Sequence, residues 1–244
     1  MRGWIAFVYG VAAYAAGLAA LLYLIGFSGN LLVPRSVDTG TSAPWAVALC
    51  VDLLLMALFG VQHSVMARRG FKRWWTRVVP AAVERSTYVL ATCIVLALMF
   101  RFWLPIPAPK VWQIENPAGV ALLWSMFAIG WLLVLLSTFL INHFELFGLQ
   151  QVFARLAQRT PPAAEFKTPW LYRQVRHPLY LGVMLTLWMV PVMSCGRLLF
   201  ALGFSAYILV GIAFEERDLL AQFGERYARY RAEVGMLLPW RSGG

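Results

Sequence analysis

"YRQVRHPLYLGVMLTLWMV", residues 172–190, sets two arginines and a histidine against a proline and then runs at once into apolar side chains. A polar cluster on the threshold of such a run is the arrangement found where a helix enters a membrane. Near the C-terminus "GIAFEERDLL", residues 211–220, is the mirror image, an apolar run that ends on two adjacent glutamates. Both sit in a chain of 244 residues that is 61% hydrophobic and only 13% charged. A water-soluble domain of that length cannot bury so much apolar surface, so the composition implies a polytopic membrane protein.

Six apolar segments stand out, at 4–28, 44–66, 86–104, 118–141, 178–195 and 197–214. The first four are long enough to span, since ~20 residues cross the hydrocarbon. The first continues to Phe27, longer than a signal-peptide core, and reads as a retained helix. The last two are shorter, are separated by "SCGR", and predict a helical hairpin. The expected fold is therefore an all-α integral membrane protein of five to six transmembrane segments, ending in a cytoplasmic amphipathic helix. One domain over 1–244 is expected. It comprises four spanning segments in 1–141, a cytoplasmic linker over 142–177, the hairpin over 178–214 and a tail over 215–240 that closes a ligand site.

Charge sets the orientation. Residues 66–85, "MARRGFKRWWTRVVPAAVER", carry six Lys/Arg and one Glu, and residues 150–176 carry Arg155, Arg159, Lys167, Arg173 and Arg176. The alternate loops hold one basic residue each, Arg35 and Lys110. Positive-inside places the second and fourth linkers and both termini in the cytoplasm, in a bacterial inner membrane. The net charge of +10 lies between apolar runs rather than in one stripe, which speaks against nucleic acid. Cys50, Cys93 and Cys195 all fall in apolar stretches, without metal-ligand spacing, and read as buried small hydrophobes; no metal is expected. Gly3, Gly10 and Gly17 recur every seven residues, and Gly196, Gly203 and Gly211 nearly so, which predicts close helix packing.

The three histidines all fall at cytoplasmic ends of segments: His63 after the second run, His143 after the fourth, His177 before the fifth. Glu215 and Glu216 end the sixth on the same side. These five polar points are expected to converge on one interface and line one pocket. Pro178 suits a first helical turn, where its missing N–H is not needed. With Arg176 and His177, the helix start becomes an anion receptor. Glu215 and Glu216 offer negative charge for an amine or for ribose hydroxyls, so a ligand carrying both a carboxylate and an ammonium fits between the two groups. Beyond them Leu220, Phe223, Tyr227, Tyr230 and Val234 recur by three and four, an amphipathic stripe. It reads either as a surface anchor or as a lid whose tyrosines face the ligand. Asp52, deep in the second segment, is expected to hydrogen-bond another helix, and Arg101 to reach the headgroups.

"RHPLYLG", the apolar hairpin and "FEERDLLAQFGERYARYRAEV" together resemble the isoprenylcysteine carboxyl methyltransferase-like superfamily of membrane methyltransferases. "LLVPRSVDTG", "FGVQHSVMARRGFKRWWTRVVPAAVERSTYVL" and "INHFELFGLQQVF" extend the resemblance over nearly the whole chain, to the bacterial methanethiol S-methyltransferases within it. The resemblance implies S-adenosyl-L-methionine as methyl donor and a small volatile thiol as acceptor. On that basis Arg176, His177, Pro178, Tyr180 and Gly182 meet one end of the donor, and Glu215, Glu216, Tyr227 and Tyr230 close the other. The tail reads "MLLPW" where prenylcysteine enzymes carry a basic residue before the proline, which fits a smaller acceptor.

The donor's methyl is already activated, so alignment is the main requirement. An alkanethiol is a weaker acid than cysteine, with its pKa of ~8.5, and gains from a base within hydrogen-bond reach. His143 or His63 is expected to be that base, oriented by Glu145 or Asn142, with Gln62 and Asn142 on the acceptor side. The bilayer is the expected surrounding, and no obligatory protein partner is evident.

Overall fold

Among the described residues, five helices are long and apolar enough to cross a membrane. The computed structural model describes residues 2–160 and 166–239. In chain order the helices are α1 (Gly3–Gly29), α2 (Trp45–Ala67), α3 (Arg69–Trp75) and α4 (Ala81–Phe102). A strand β1 (Lys110–Gln113) precedes α5 (Pro117–Ile141), α6 (His143–Leu146) and α7 (Leu149–Leu156). A 3-10 turn (Trp170–Arg173) leads to α8 (Pro178–Trp188), β2 (Val192–Ser194), α9 (Cys195–Phe223) and α10 (Glu225–Glu233). The spanning helices are α1, α2, α4, α5 and α9. The chain is an all-α integral membrane protein, with a single two-stranded ribbon among its described residues.

Two expectations about the hairpin are corrected. The segment expected over 178–195 is a helix of only 11 residues, about 16 Å against a hydrocarbon core of ~30 Å. The chain then turns extended, and β2 pairs antiparallel with β1. "SCGR" is not a hairpin turn: Ser194 caps α9, its Oγ accepting from the Arg197 N–H at 3.0 Å. The second correction concerns the tail. α9 continues unbroken from Cys195 through both glutamates to Phe223, because "EERDLLAQ" holds no breaker and is rich in helix formers. The break comes at Gly224, with φ +53° and ψ −131°, a backbone conformation open to glycine. The predicted stripe is thus split, with Leu220 and Phe223 on α9, Tyr227 and Tyr230 on α10, and Val234 just beyond its end.

The described residues form two compact units. The first holds α1–α4 with α6 and α7. Here α1 packs on α4 and α7 along its heptad glycines: a Cβ on Gly10 would lie 2.5 Å from a Val152 methyl, and one on Gly17 3.0 Å from Val89. The third spanning helix starts earlier than the expected 86, directly after Pro80, with Glu84 in its first turn. Asp52 is fully buried, and its Oδ1 accepts from the Leu104 N–H at 2.9 Å, just past the end of α4. The hydrogen bond joins two elements as expected, with backbone as the donor. The Trp103 indole N–H donates to the Val37 carbonyl at 3.0 Å, tying the loop after α1 to the same end of α4. The Arg101 guanidinium lies 5.3 Å from the Phe102 ring centre.

The second unit holds β1, α5, the 3-10 turn, α8, β2, α9 and α10. Its tightest crossing joins α5 and α8 at two facing glycines. A Cβ on Gly130 would lie 2.7 Å from the Gly182 carbonyl oxygen, and one on Gly182 2.6 Å from that of Gly130. The expected stripe on the last helix fails at Gly211, whose added Cβ would meet nothing within 4 Å. Gly130→Ala or Gly182→Ala should therefore force α5 and α8 apart, at a cost of about 1–3 kcal/mol. Gly211→Ala should be neutral or slightly stabilising. Thermal unfolding of the purified variants in detergent would compare them.

Candidate functional site

The residues expected at the site divide between the two units, a charged group in the second and an aromatic group in the first, with Asp52 and Arg101 outside both. The cluster in the second unit is built on Glu216, which is only 7% exposed although it carries a charge. Its Oε1 accepts from Arg176 Nε at 2.8 Å and lies 3.1 Å from His177 Nε2, while Oε2 lies 3.3 Å from Arg231 Nε. A buried carboxylate is tolerable when it is paired and hydrogen-bonded in this way. Its neighbour in sequence on α9, Glu215, is half exposed and accepts from the Tyr180 hydroxyl at 2.8 Å.

The chain doubles back onto this cluster after α10. Arg176 N–H donates to the Gly235 carbonyl at 2.8 Å and His177 N–H to the Met236 carbonyl at 3.1 Å. The Arg176 guanidinium also reaches the Arg231 and Val234 carbonyls. Pro178 opens α8 as expected, at its first position. The tyrosines of α10 pack inward. Tyr227 is 1% exposed, and Phe166 lies against Tyr227, Tyr230 and Phe223 with ring centres 5.8, 5.5 and 5.3 Å away. Tyr230 donates to the Tyr172 carbonyl. Burial, partly opposed by Arg176, pushes the Tyr230 phenol up to about 12. Burial also raises Tyr227 and Tyr172 well above the ordinary phenol value. Phe166 and Tyr172 were missed by sequence reading because they precede α8 in an irregular segment without periodicity.

One expectation is corrected here. Arg176 and His177 were to hold one end of a zwitterion and the glutamates the other. In the structure the two groups meet directly, with Arg176 Nε 2.8 Å and His177 Nε2 3.1 Å from Glu216 Oε1. The space lies alongside instead. A cleft of about 610 Å³ is lined by Leu209, Ile212, Ala213 and Leu220 on its apolar side and by Glu216, Arg217 and Arg231 on its charged side. Its volume lies within the ~300–1,000 Å³ of small-molecule sites. Gly182 sits at the α5 crossing, where its lack of a side chain serves helix packing.

The cluster in the first unit is aromatic. His143 is buried, its Nε2 3.0 Å from the Tyr14 hydroxyl, with the rings of Tyr14, Phe144 and Phe147 centred 5.7, 5.5 and 4.8 Å away. Burial holds its pKa below the ordinary histidine value, so the imidazole is neutral at pH 7. Asn142 Nδ2 donates to Glu145 Oε2 at 2.9 Å and to Gln150 Oε1 at 2.6 Å, and its Oδ1 caps α6 through the Glu145 N–H. These bonds occupy Asn142 as a helix cap rather than an acceptor ligand. His63 stacks on Phe59, with centroids 5.2 Å apart, and bonds Tyr88 at 2.8 Å. Gln62 Nε2 lies 3.4 Å from Thr92 Oγ1, while its Oε1 is buried with no partner among the described residues. Tyr14 and Tyr88 were invisible to sequence reading, since single tyrosines in apolar helices carry no pattern. Among the described residues no group of acidic, histidine or cysteine side chains could hold a metal.

Comparison with known proteins adds to this geometry. Residues 53–239 match the family described as NnrU protein. The chain is 52% identical over 242 residues to methanethiol S-methyltransferase of Mycobacterium tuberculosis, covering 98% of each chain. It is 51% identical to methanethiol S-methyltransferase 1 of Bradyrhizobium diazoefficiens, over 98% of this chain and 83% of that one. Nurim of Sus scrofa is 33% identical over 71% of this chain and 68% of its own. No solved structure matches the chain at a significant level.

Loss of the buried carboxylate should leave Arg176 and Arg231 without their ionic partner and His177 without its hydrogen-bond partner. Glu216→Ala is expected to destabilise the fold by about 3–5 kcal/mol, the range for breaking a buried pair, and Glu215→Ala by far less. Differential scanning of the two variants separates them. Because the Tyr230 phenol is raised in the fold, its contribution is intact below pH 10, the ordinary phenol value, and fades as pH climbs through about 12. Tyr230→Phe should flatten that alkaline loss in a melting-temperature profile.

Proposed function

The chain belongs to the NnrU protein family, alongside the methanethiol S-methyltransferases, and from that premise we propose that it methylates methanethiol to dimethyl sulfide with S-adenosyl-L-methionine as donor. The observation that carries the reading is the likeness to methanethiol S-methyltransferases over nearly its full length. The cleft beside Glu216 supports a nucleotide donor. Its apolar wall of Leu209, Ile212 and Ala213 suits a nucleoside face, and its charged wall of Glu216, Arg217 and Arg231 suits an amino-acid head bearing both signs. Arg176, His177 and Pro178 hold that wall in place, with Tyr180 and Glu215 at its exposed edge and Tyr227 and Tyr230 beneath the tail. When bound, the donor supplies a sulfonium-activated methyl group.

What remains for the protein is to deliver a thiolate. His143, neutral and shielded by three aromatic rings, is the proposed acceptor of the thiol proton, with Tyr14 holding its ring; His63 with Tyr88 is the second candidate. As the thiol sulfur bonds to the methyl carbon, the carbon–sulfonium bond breaks, and both products are neutral thioether centres. Removing charge in this way favours a dry surrounding. Methanethiol dissolves in the hydrocarbon and the donor in water, so a site at the cytoplasmic face of a bacterial inner membrane serves both. The basic segments at 66–85 and 150–176 support an inward orientation of that face.

The experiment is headspace detection of dimethyl sulfide from purified protein supplied with donor and methanethiol, with donor binding followed by calorimetry. Production of dimethyl sulfide is expected. Methylation of larger thiols or phospholipid amines instead would replace the acceptor, and no donor binding would overturn the reading. His143→Ala should lower turnover at pH 7 by about 10²–10⁴-fold with donor affinity unchanged. Since His143 titrates below the ordinary value of 6.5, the acid limb of the wild-type rate profile should lie below pH 6.5 and vanish in that variant.

A further inference from the structure

The segment between α2 and α4 is not used by the site or the proposed reaction. Both flanking helices are spanning, so residues 68–80 lie where two membrane helices emerge on one side. The segment holds five basic residues, Arg68, Arg69, Lys72, Arg73 and Arg77, and no acidic one. It is also ordered. α3 runs over Arg69–Trp75, and hydrogen bonds from Thr76, Arg77, Val78 and Val79 continue the turns.

At about 3.6 residues per turn this arrangement sorts the side chains into two arcs centred roughly 150° apart, a basic side and an apolar side with Arg77 and Trp74 at their nearer edges. Arg69, Arg73 and Arg77, four apart, form one, and all three are exposed. Phe71, Trp74, Trp75 and Val78 form the other. The three aromatic rings pack together with centroids 5.5–5.8 Å apart, while Trp74 is 54% and Val78 76% exposed. The turn ends at Pro80, where a recess of about 250 Å³, lined by Ala6, Pro80–Ala82 and Arg155, brings in one more cation.

We propose that this amphipathic segment, basic on one side and aromatic on the other, is a binding surface for an anionic phospholipid of the surrounding bilayer. The exposed tryptophan and valine enter the headgroup–acyl boundary, as amphipathic surfaces do, and the arginine row meets the lipid phosphate and the net negative headgroup. Charge complementarity selects the occupant: a zwitterionic lipid offers the same acyl chains without the net charge. Arginine suits phosphate because its fork of donors engages two oxygens. The surface stands independently of the methyl-transfer reading.

The test is spin-label resonance of the protein reconstituted in phosphatidylcholine bilayers, comparing how strongly labelled phosphatidylglycerol and labelled phosphatidylcholine are held at its surface. The expected result is a preference for the anionic lipid of about fivefold or more at low salt, falling toward parity in molar salt. Replacing the arginine row with Arg69→Gln, Arg73→Gln and Arg77→Gln together should remove most of it, and the corresponding lysine triple should keep most of it. Should the glutamine triple fail to insert, the salt dependence of the wild type decides. Equal retention of both lipids, a preference indifferent to salt, or one unchanged in the glutamine triple overturns the proposal. So does abolition by millimolar inorganic phosphate, which would mark a site for free phosphate.

Discussion

A single carboxylate organises the second unit. Glu216 is buried near the end of α9, and it can be buried there because Arg176 from before α8, His177 from its start and Arg231 from α10 reach it. Removing water from a carboxylate is costly, and the compensation demands good geometry from every partner. That demand fixes where α8 begins, how far α9 continues and where the tail returns. The backbone bonds from Arg176 and His177 to Gly235 and Met236 follow the same path, so side-chain and main-chain pairing agree on one closed arrangement.

The first unit meets the membrane differently. Three of its polar side chains are hydrogen-bonded inside aromatic or backbone settings: His143 on Tyr14, His63 on Tyr88, Asp52 on the Leu104 N–H. No water is at hand in the hydrocarbon, and each such group needs a protein partner. The heptad glycines of α1 let α7, which follows the fourth spanning segment, approach closely enough to hold His143 against the first helix. Packing and site placement are one feature here.

Sequence alone carried much of this. Hydropathy found four of the spanning helices as long apolar runs and marked the fifth, α9, as a shorter hairpin arm over 197–214, and the charge contrast at 172–177 and 215–216 led to Arg176, His177 and Glu216. It failed where neighbours in space decide. An apolar run over 178–195 does not disclose that its last residues pair with Lys110–Gln113 as a ribbon. Two glutamates at the end of an apolar stretch look like a helix terminus, whereas pairing lets α9 run on for two more turns. The tyrosine partners of both histidines, and Phe166 against α10, lie far away in sequence and leave no periodic trace. Glycines were ambiguous for the same reason: Gly17 and Gly211 look alike on paper, and only one has a neighbour.

The 29 residues of α9 make a rod of about 43 Å, longer than the ~30 Å hydrocarbon it crosses. An uninterrupted rod cannot absorb a change in bilayer thickness by bending at its charged end, so it answers by tilting or by sliding. Either movement is transmitted without loss to Glu215, Glu216 and Arg217, which ride on the same helix. The depth at which those charges stand is thereby set by the lipid, and the membrane becomes a ruler against which the protein positions its cleft.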